Sequence, residues 1–563
     1  MPDAVDASFD KHLAALTAPG GPLETMEVGR GGRAYPAFAK APPSLAHYFA
    51  HYCAQHGETI FLVDGETRIG FAESFAFARR LAQALTANHG VKRGDRVGLA
   101  ARNSANWVLA HMAIIMAGGC ATLLNGWWTG EELAEGISLT GCRLVLADPQ
   151  RAARLDGIEC GARIATFSHG GAPEEGFASL LEGAGEAELP QLGPNDLATI
   201  LFTSGSTGKA KGALSDHRGV VNATINFAAQ TLMVLGQMTE AGEAPTNPPA
   251  ALVPVPLFHV TGEVPLFLQS FALGRKLVMM PKWDPLEAMR LIEAEKVTYF
   301  VGVPLMSHEI ATHPQRGRFD LTSCATFAAG GAPRPADHVR RLREELPGSY
   351  PIIGYGLTET NAVGCGNFNR AYQAKPDSTG RASKPLSELG ILDADGAELP
   401  QGETGEVAIR SICNMLRYWE DEEATAAAFT PDGWFRTGDL GNLDEDGYLF
   451  IVDRKKDIII RGGENISCIE LEQAVYAHPD IAECSVFGLP DERLGEVPAA
   501  VFRTRDSRDV TEDDLREFLG ERLAAFKVPQ YMWRESEPLP RLATEKVDRR
   551  SLRSRYLGLS GTR

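Results

Sequence analysis

The sequence has few cysteines, and their spacing matches neither a disulfide framework nor a metal cluster. Nine cysteines are scattered through 563 residues, and none forms a Cys-x-x-Cys pair. An odd, widely spaced set argues against a disulfide-stapled secreted domain and against a structural zinc site. We therefore expect a reducing compartment and a cytoplasmic protein.

Long apolar runs are also lacking. The first residues, Met1-Pro-Asp-Ala-Val-Asp, are acidic and have no apolar run of the kind that marks a secretory signal. The longest apolar stretch, residues 107–124, contains His111 and is interrupted by Gly118 and Gly119. This pattern favours a buried helix that leads into a strand. We expect no integral membrane segment, while peripheral membrane contact stays open.

Excess positive charge is absent, since 55 Lys and Arg stand against 73 Asp and Glu and the formal net charge is −18. Nonspecific binding to nucleic acid would require a local basic patch. The dense basic segment is residues 541–555, which we interpret mostly as a solvated surface. We expect no nucleic-acid partner. The sequence leaves the oligomeric state open, and a homodimer is compatible with it.

What the chain does have is a regular alternation of short β-branched runs with helix-period segments. Residues 96–101 lead into the helical pattern of residues 106–116, and residues 197–202 run into a glycine-rich turn. Such alternation is typical of parallel sheets covered by helices. The predicted fold class is α/β, with a large N-terminal body of mostly parallel sheets flanked by helices.

The character of the chain changes near residue 454. A predicted hairpin strand at residues 446–453 is followed by the charged segment Arg454-Lys-Lys-Asp457 and the glycine pair at 462–463. The rest is a compact α+β pattern in which Thr511 opens a helix with a capping box. We predict a body of residues 1–453 and a small C-terminal domain of residues 454–563.

The strongest local signal is Thr203-Ser-Gly-Ser-Thr-Gly-Lys-Ala-Lys-Gly212, which directly follows a predicted strand. Its glycines let backbone N–H groups face one concavity, and its hydroxyl and lysine side chains add donors and positive charge. Such a loop suits a polyphosphate. The spacing of Gly205 and Gly208, with Ala210 after Lys209, differs from the phosphate loop of NTPases, which argues against a motor or transport ATPase.

Further motifs follow in order: Gly330-Gly-Ala-Pro333, Tyr355-Gly-Leu-Thr-Glu-Thr360, Gly433-Trp-Phe-Arg-Thr-Gly-Asp-Leu440, Asp453-Arg-Lys-Lys-Asp457 and Arg461-Gly-Gly-Glu-Asn-Ile-Ser467. Together with the loop at residues 203–212 they resemble the adenylate-forming superfamily of acyl- and aryl-CoA synthetases, firefly luciferases and peptide-synthetase adenylation domains. The set is most like fatty-acyl-CoA or aryl-CoA ligases and runs from about residue 45 to about residue 550. The resemblance implies Mg²⁺ with ATP, coenzyme A as co-substrate, and a mobile C-terminal lid.

The resemblance implies a nucleotide site built from most of these motifs. The residues expected around the phosphates are Thr203, Ser204, Gly205, Ser206, Thr207, Gly208, Lys209 and Lys211, with Thr358 at the α-phosphate. The residues expected along the adenine are Gly331, Ala332, Pro333, Tyr355 and Gly356. Asp439 and Arg454 would reach the ribose, and Glu359 would hold Mg²⁺ with help from Thr203. A hard oxygen ligand beside a triphosphate is what Mg²⁺ prefers.

The resemblance also assigns roles in the C-terminal domain. Lys456 occupies the hinge position, and Gly462 with Gly463 would let the pantetheine arm of coenzyme A pass close to the backbone. Lys546 would bridge the substrate carboxylate and the α-phosphate as a positioned charge. Glu545 stands where a glycine is usual, so it is expected to restrict the loop or to draw Lys546 into an ion pair. Ala210 replaces a common proline in the phosphate loop.

The acyl pocket is expected between the segment around His259 and the adenine motif. His259 takes the gate position beside the tunnel for the acid, and the other pocket candidates are Val260, Val303, Ala329 and Gly330. Relatives that activate amino acids place an aspartate near His259, where this sequence has none. An apolar acid with one carboxylate therefore fits better than an amino acid.

The resemblance implies an acyl-CoA synthetase in which Lys546, Glu359, Thr203 and His259 are the catalytic candidates. The acid would be activated as acyl-AMP and then transferred to coenzyme A. A medium- or long-chain fatty acid is the first expectation, followed by aryl, aryl-alkanoic or steroid-side-chain acids. Delivery to a carrier-protein pantetheine, luciferase-like oxidation of the adenylate and a noncatalytic nucleotide sensor remain alternatives.

Overall fold

The computed structural model describes residues 2–183, 185–204, 210–505, 508–542, 545–557 and 559. Within these residues, four sheets make up a large body, and a fifth sheet belongs to a smaller C-terminal domain. Two of the body sheets have seven and nine strands, and the other two have two and four strands.

The strands, in chain order, are β1 (Thr25–Arg30), β2 (Arg33–Phe38), β3 (Ile60–Asp64), β4 (Thr67–Gly70), β5 (Arg96–Ala100), β6 (Cys120–Leu123), β7 (Leu144–Ala147), β8 (Arg163–Thr166), β9 (Leu197–Ser204), β10 (Ala210–Asp216), β11 (Ala250–Val253), β12 (Lys276–Met279), β13 (Tyr299–Gly302), β14 (Thr326–Gly330), β15 (Tyr350–Tyr355), β16 (Cys365–Phe368), β17 (Arg381–Ala382), β18 (Ser387–Leu392), β19 (Gly405–Ser411), β20 (Arg417–Tyr418), β21 (Phe435–Leu443), β22 (Leu449–Arg454), β23 (Ile459–Arg461), β24 (Glu464–Ile466), β25 (Ile481–Asp491), β26 (Gly495–Thr504) and β27 (Tyr531–Glu535).

The α-helices are α1 (Pro2–Thr17), α2 (Leu45–His56), α3 (Phe71–Ala87), α4 (Ala105–Met116), α5 (Gly130–Thr140), α6 (Pro149–Arg154), α7 (Pro173–Gly176), α8 (Ala178–Leu181), α9 (His217–Glu240), α10 (Val260–Gly262), α11 (Gln269–Ala272), α12 (Pro285–Glu295), α13 (Pro304–Thr312), α14 (Ala336–Glu345), α15 (Asn369–Ala374), α16 (Glu422–Ala428), α17 (Cys468–Tyr476), α18 (Glu512–Gly520) and α19 (Arg549–Leu557). A π-helix spans Glu263–Leu268, and 3-10 turns span Arg316–Arg318 and Thr358–Thr360.

The seven-stranded sheet has the order β20-β10-β9-β6-β5-β7-β8. The strands β9, β6, β5, β7 and β8 pair in parallel, as expected for strand–helix–strand units. At one edge, β10 and β20 are added antiparallel. The sheet therefore has a parallel centre and an antiparallel edge.

Helix α4 explains the longest apolar stretch of the sequence. All of its twelve side chains are buried, and the Ser104 hydroxyl caps it by accepting a bond from the Trp107 N–H at 3.0 Å. It contacts β5 and β6 of the seven-stranded sheet and β3 of the nine-stranded sheet. A mostly apolar surface suits a helix enclosed between two sheets, so the predicted buried helix leading into a strand is confirmed.

The nine-stranded sheet has the order β17-β16-β15-β14-β13-β11-β12-β3-β4. Its six central strands, from β15 to β3, are parallel, and the strands at both edges are antiparallel. The carboxyl ends of parallel strands lie at one edge of a sheet, where ligands commonly bind in α/β folds. The glycine motif at 330–333 and Tyr355 both stand at that edge.

The third large sheet of the body differs from the mostly parallel sheets that the sequence predicts. The sheet β18-β19-β21-β22 is antiparallel throughout. Its last two strands are joined only by the turn at residues 444–448, and so short a link cannot make the crossover that parallel pairing requires. The body therefore consists of mixed sheets, although the α/β class is as predicted.

The C-terminal domain contains the sheet β24-β23-β26-β25, with β27 parallel to β26. It has its own buried cluster, which includes Leu471, Val486 and Phe502. Helix α18 begins with the predicted capping box, because the Thr511 hydroxyl accepts from the Asp514 N–H at 3.1 Å. The chain passes from the antiparallel sheet of the body into this domain between β22 and β23.

Helix α9 is long and apolar enough to cross a membrane, judged by length and composition alone. Its mean hydropathy is 1.2 over a window of which 72% is buried inside the protein. The helix packs on β9 and β10. A buried core helix of a globular protein also meets these criteria of length and composition.

The N-terminus of α9 generates a prediction about stability. Asp216 caps the helix by accepting from the Gly219 N–H at 2.8 Å, and its two oxygens lie 2.7 and 2.6 Å from the Arg30 guanidinium. We expect D216A to lower the free energy of unfolding by about 3 kcal/mol, because it removes the cap and strands a largely buried cation. Urea denaturation followed by tryptophan fluorescence measures the change. The control E174Q, in an exposed pair with Arg80, should stay within about 0.5 kcal/mol.

Candidate active site

A cleft of about 2850 Å³ lies where the carboxyl ends of the body strands face the C-terminal domain. The predicted site residues that line it are Thr203, Lys211, His259, Val260, Val303, Gly331, Ala332, Pro333, Tyr355, Gly356, Thr358, Glu359, Asp439, Arg454, Lys456 and Lys546. These residues come from three different sheets and from both domains. The structure therefore brings most of the predicted site together around one space.

The predicted polyphosphate loop is described only at its two ends. Thr203 lies near the end of β9, and Lys211 lies opposite it in the antiparallel partner β10. The Lys211 ammonium sits 5.0 Å from the centre of the Tyr418 ring and 3.9 Å from Asp421 Oδ2. The predicted phosphate ligands Gly205, Ser206, Thr207, Gly208 and Lys209 lie outside the described residues, as does the side chain of Ser204.

Glu359 is buried in the 3-10 turn Thr358–Thr360 and faces Thr203. Its Oε1 accepts a hydrogen bond from the Tyr418 hydroxyl at 2.8 Å. Burial raises the pKa of this carboxyl, and hydrogen bonds from the hydroxyls of Tyr418 and Thr203 partly offset that effect. Two hydroxyls therefore hold a carboxylate in a fixed orientation at the edge of the cleft.

Tyr355, Asp439 and Arg454 form one polar cluster on a wall of the cleft. The Tyr355 hydroxyl donates to Asp439 Oδ2 at 2.6 Å, and Arg454 Nε lies 3.3 Å from Asp439 Oδ1. Asp439 and Arg454 are register partners in β21 and β22, so the sheet itself places them side by side. Burial raises the pKa of Asp439, while the positive charge of Arg454 acts in the opposite direction.

Lys546 reaches into this group from the C-terminal domain. Its Cε lies so close to Gly331 that a Cβ on that glycine would stand 3.0 Å away, and Gly331 itself has a φ of +77°. The pKa of Lys546 is lowered to about 8, first by burial and then by the neighbouring Arg454, while Asp439 acts in the opposite direction. The side chain is therefore a largely protonated ammonium at neutral pH, enclosed between the two domains.

Glu545 adopts the backbone conformation that glycine favours, with a φ of +62°. This agrees with the expectation that the residue restricts the loop, because a side chain is strained in that region. Among the described ion pairs, none joins Glu545 to Lys546. Burial raises the pKa of Glu545, and the cations that face it are Arg541 and Lys282.

The predicted acyl-pocket residues divide into two groups. His259, Val260 and Val303 line the cleft, whereas Ala329 is buried within β14 and Gly330 ends that strand just before Gly331. His259 accepts from the Thr261 N–H at 3.3 Å. Burial lowers the pKa of His259 to about 3, with a further contribution from Lys546, so the imidazole is neutral.

The predicted hinge and coenzyme A residues lie in turns of the C-terminal domain. Lys456 is exposed in the turn between β22 and β23. Gly462 and Gly463 form the two-residue turn between β23 and β24, with φ values of +60° and +94° that suit a tight hairpin. In the described cleft, neither glycine contributes to the lining.

Tyr418 is a site residue that the sequence analysis does not identify. It sits in the two-residue strand β20, outside the quoted motifs, and contacts both Glu359 and Lys211. A tyrosine that stands between Arg417 and Trp419, just before an acidic segment, has no local pattern that indicates a binding role. Only the pairing of β20 with β10 brings it to the cleft.

Comparison with known proteins agrees with this geometry. The model of the family described as "AMP-binding enzyme" matches residues 49–419, and that of the "AMP-binding enzyme C-terminal domain" matches residues 470–546. The chain therefore belongs to the AMP-binding enzymes, the adenylate-forming superfamily, and is an enzyme of the AMP-forming acid–CoA ligase family.

Its relatives within the family include proteins with different acids in their names. The chain is 32% identical to a feruloyl-CoA synthase of Amycolatopsis over 87% of its length and 95% of the relative. It is also 32% identical to the long-chain-fatty-acid–CoA ligase FadD13 of Mycobacterium tuberculosis over 87% of its length and 94% of that protein. Among solved structures, ATP-bound MatB from Rhodopseudomonas palustris is 27% identical with a TM-score of 0.78, covering 91% of this chain and 99% of that one.

The enclosure of Lys546 can be tested by titration. We expect one lysine signal with a midpoint near pH 8 in NMR spectra of protein labelled at lysine Cε, because burial disfavours the ammonium. The ammonium is present below this pH and is lost as the pH rises through it. K546A should remove the signal, and D439N should lower its midpoint further. A set of lysine signals that all titrate near the ordinary value of about 10.4 would contradict the described geometry.

Proposed function

We propose that the protein is an acyl-CoA synthetase that uses Mg·ATP to activate an apolar carboxylic acid as acyl-AMP and then transfers the acyl group to coenzyme A. The observation that carries this proposal is the position of Lys546, whose ammonium lies against Gly331 and beside His259. One positive charge thus stands between the predicted adenine motif and the predicted acyl gate. Two anions that must react with each other would meet there.

In the first half-reaction, the substrate carboxylate attacks the α-phosphorus of ATP, and pyrophosphate leaves. Lys546 offsets the repulsion between the two anions and holds them in line, which requires the protonated form. Thr203, Thr358 and Lys211 bind phosphate oxygens, and Tyr355 packs on the adenine. The carboxylate of Asp439 has two oxygens that can accept hydrogen bonds from the ribose hydroxyls. One of these oxygens, Oδ2, already accepts a hydrogen bond from the Tyr355 hydroxyl.

Glu359 with Thr203 fits a magnesium ion that accompanies the nucleotide. The carboxylate is held by the Tyr418 hydroxyl at Oε1, which leaves oxygen lone pairs free toward the cleft. Mg²⁺ usually takes one or two carboxylates together with phosphate oxygens and water. When bound, the ion would supply positive charge that stabilises the pyrophosphate leaving group.

In the second half-reaction, the thiol of coenzyme A attacks the acyl carbonyl and AMP leaves. Lys546 has no role in this step, so the lid can turn about Lys456 and withdraw it. The hairpin turn at Gly462 and Gly463 would then face the pantetheine arm, where the lack of side chains leaves room. Reuse of one cleft for two reactions explains why a small second domain is attached through a short linker.

The proposed acid is apolar, with a medium- or long-chain fatty acid or an aryl acid as the leading classes. Val260, Val303 and Phe258 line the side of the cleft next to His259. The two relatives named above have a feruloyl group and a long-chain fatty acid in their names. All nine cysteines are free and buried, which supports our placing the enzyme in the cytoplasm.

The proposed reaction is tested with a panel of carboxylic acids, Mg·ATP and coenzyme A. We expect acid-dependent release of pyrophosphate, accompanied by AMP and the acyl-CoA, with the highest rates for apolar acids. The assay measures pyrophosphate and identifies the thioester by mass spectrometry. Accumulation of acyl-AMP without a thioester would instead favour a carrier protein as acceptor, and no release with any acid would contradict the proposal.

The role of Lys546 is tested by K546A in the two half-reactions separately. We expect acid-dependent ATP–pyrophosphate exchange to fall by about 10²–10³-fold, because a positioned charge is lost from an enclosed site. Thioester formation from synthetic acyl-AMP and coenzyme A should stay within about threefold of the wild type, since this step does not use Lys546. The variant K92A changes an exposed lysine outside the cleft lining and is the control for both rates. Equal losses in the two half-reactions would argue against the assignment.

A further inference from the structure

The loop that carries Lys546 is a tight hairpin whose base is Arg541. Residues 541 and 547 form a β-bridge, the Leu542 N–H donates to the Lys546 carbonyl at 2.8 Å, and the Glu545 N–H donates to the Leu542 carbonyl at 2.9 Å. These bonds tie the two ends of the hairpin together. A contact that holds Arg541 in place therefore also restrains the position of Lys546.

Within the C-terminal domain, Arg541 is anchored by Glu483. The Arg541 guanidinium contacts the carboxylate of Glu483, which is 2% exposed and also accepts from the Leu539 N–H at 3.0 Å and from Arg503 Nε at 3.0 Å. A buried carboxylate with three donors holds its partners rigidly. Arg541 is thus a fixed cation on the surface that the lid presents to the body.

On the body side, the group that faces this cation is Glu309 of α13. Arg541 Nη2 lies 3.8 Å from Glu309 Oε1 across the domain interface. Glu309 is itself oriented by the Trp283 indole N–H, which donates to its Oε2 at 2.6 Å. Burial raises the pKa of Glu309, and the bond from Trp283 and the charge of Arg541 act against this effect, while Glu483 and Glu545 add to it.

A second pair of opposite charges lies across the same interface, and here the lid holds the anion and the body holds the cation. Glu545 of the lid faces Lys282 of the body, which precedes Trp283 in the chain, and all three residues line one small cavity. The lid therefore offers a cation to Glu309 and an anion to Lys282. Two pairs of reversed polarity favour one register of the lid, because a shifted position would bring like charges together.

We propose that Glu309, a residue outside every sequence motif of the site, is a positioning residue that, through Arg541, holds the Lys546 hairpin against the body during the adenylation half-reaction. This inference rests on the proposed function for its catalytic consequence. The contact joins the two domains, so it exists only in this lid position and must break before the lid turns. Glu309 therefore acts on the first half-reaction and leaves the second one free.

The pairing also accounts for a strained residue. Glu545 occupies a left-handed backbone position in which glycine is favoured, and its side chain makes no described ion pair with Lys546. A side chain at this position is near Arg541 of its own domain, and it gains the attraction of Lys282 only when the lid lies on the body. The departure from glycine is thus explained by the same interface that Glu309 anchors.

The test compares E309Q with the wild type in each half-reaction. The amide keeps an acceptor for Trp283 and removes the charge that attracts Arg541, whereas a change of Arg541 itself would also strand the buried Glu483. We expect ATP–pyrophosphate exchange to fall about tenfold, through kcat more than through the KM for ATP, because a partly buried charge pair is lost. Thioester formation from synthetic acyl-AMP should be unchanged or faster.

The matched control is E344Q on α14, where Glu344 pairs with Arg340 on an exposed face of the same body. This variant should leave both half-reactions at wild-type rates. Equal losses in the two half-reactions of E309Q would reveal a merely structural role and overturn the inference. Unchanged rates in both would overturn it as well.

A second readout does not depend on catalysis. Hydrogen exchange measured by mass spectrometry should be faster in E309Q than in the wild type for peptides covering residues 539–550 and 279–290, and unchanged elsewhere. Equal exchange in the two proteins would overturn the anchoring contact even if the enzyme had a different reaction. If the wild type showed no acid-dependent ATP–pyrophosphate exchange, the proposed function would be refuted. The hydrogen-exchange comparison would still test whether Glu309 anchors the hairpin.

Discussion

A buried ammonium at the junction of two domains is the interaction on which the cleft depends. Lys546 is attached to the small domain, but its charge lies against body residues, where little water can solvate it. An enclosed cation is costly unless an anion accompanies it. Asp439 supplies part of that compensation, and Arg454 opposes it. The charge of Lys546 is therefore only partly compensated, and the site favours binding of further anionic groups. In the proposed reaction these groups are the substrate carboxylate and the α-phosphate.

The fold supplies the groups around this ammonium from the ends of three sheets. Thr203 comes from the seven-stranded sheet, Tyr355 from the nine-stranded sheet, and Asp439 from the antiparallel sheet. Each sheet positions its residue through strand register, as the pairing of Asp439 with Arg454 illustrates. Because no single sheet holds the site, its geometry depends on how the sheets pack against the shared helices such as α4. Changes far from the cleft can alter it for that reason.

The lid contributes charge whose effect depends on where the lid lies. In the position described here, Lys546, Arg541 and Glu545 all face body residues, and the linker between β22 and β23 is the direct connection through the chain. Ion pairs across such an interface contribute modestly to stability and strongly to the choice of orientation. In the proposed cycle this domain serves two chemical steps, and contacts that are specific and still easily broken suit such a role. The proposed anchor at Glu309 is of that kind.

Local patterns in the sequence were sufficient for several features of the structure. The apolar stretch around Trp107 is the predicted helix, and the Thr511 capping box begins α18, because propensity and capping act over a few residues. The predicted hairpin strand at residues 446–453 belongs to the antiparallel third sheet, but the sheet as a whole was not predicted, because its other strands resemble those of a parallel sheet. The contacts Tyr418–Glu359 and Arg541–Glu309 join segments far apart in the chain, and no spacing rule indicates them.

The sequence by itself determined the order of the elements, the family and the set of charged and hydroxyl side chains available for chemistry. Only the tertiary structure decided which of these groups share one enclosed space. It placed Glu545 opposite Lys282 instead of Lys546, and it lowered the pKa of Lys546 to about 8 while leaving His259 neutral. The physical reason is that burial and the distance between charges are properties of the packed chain, whereas the sequence specifies only the chemical identity of each group.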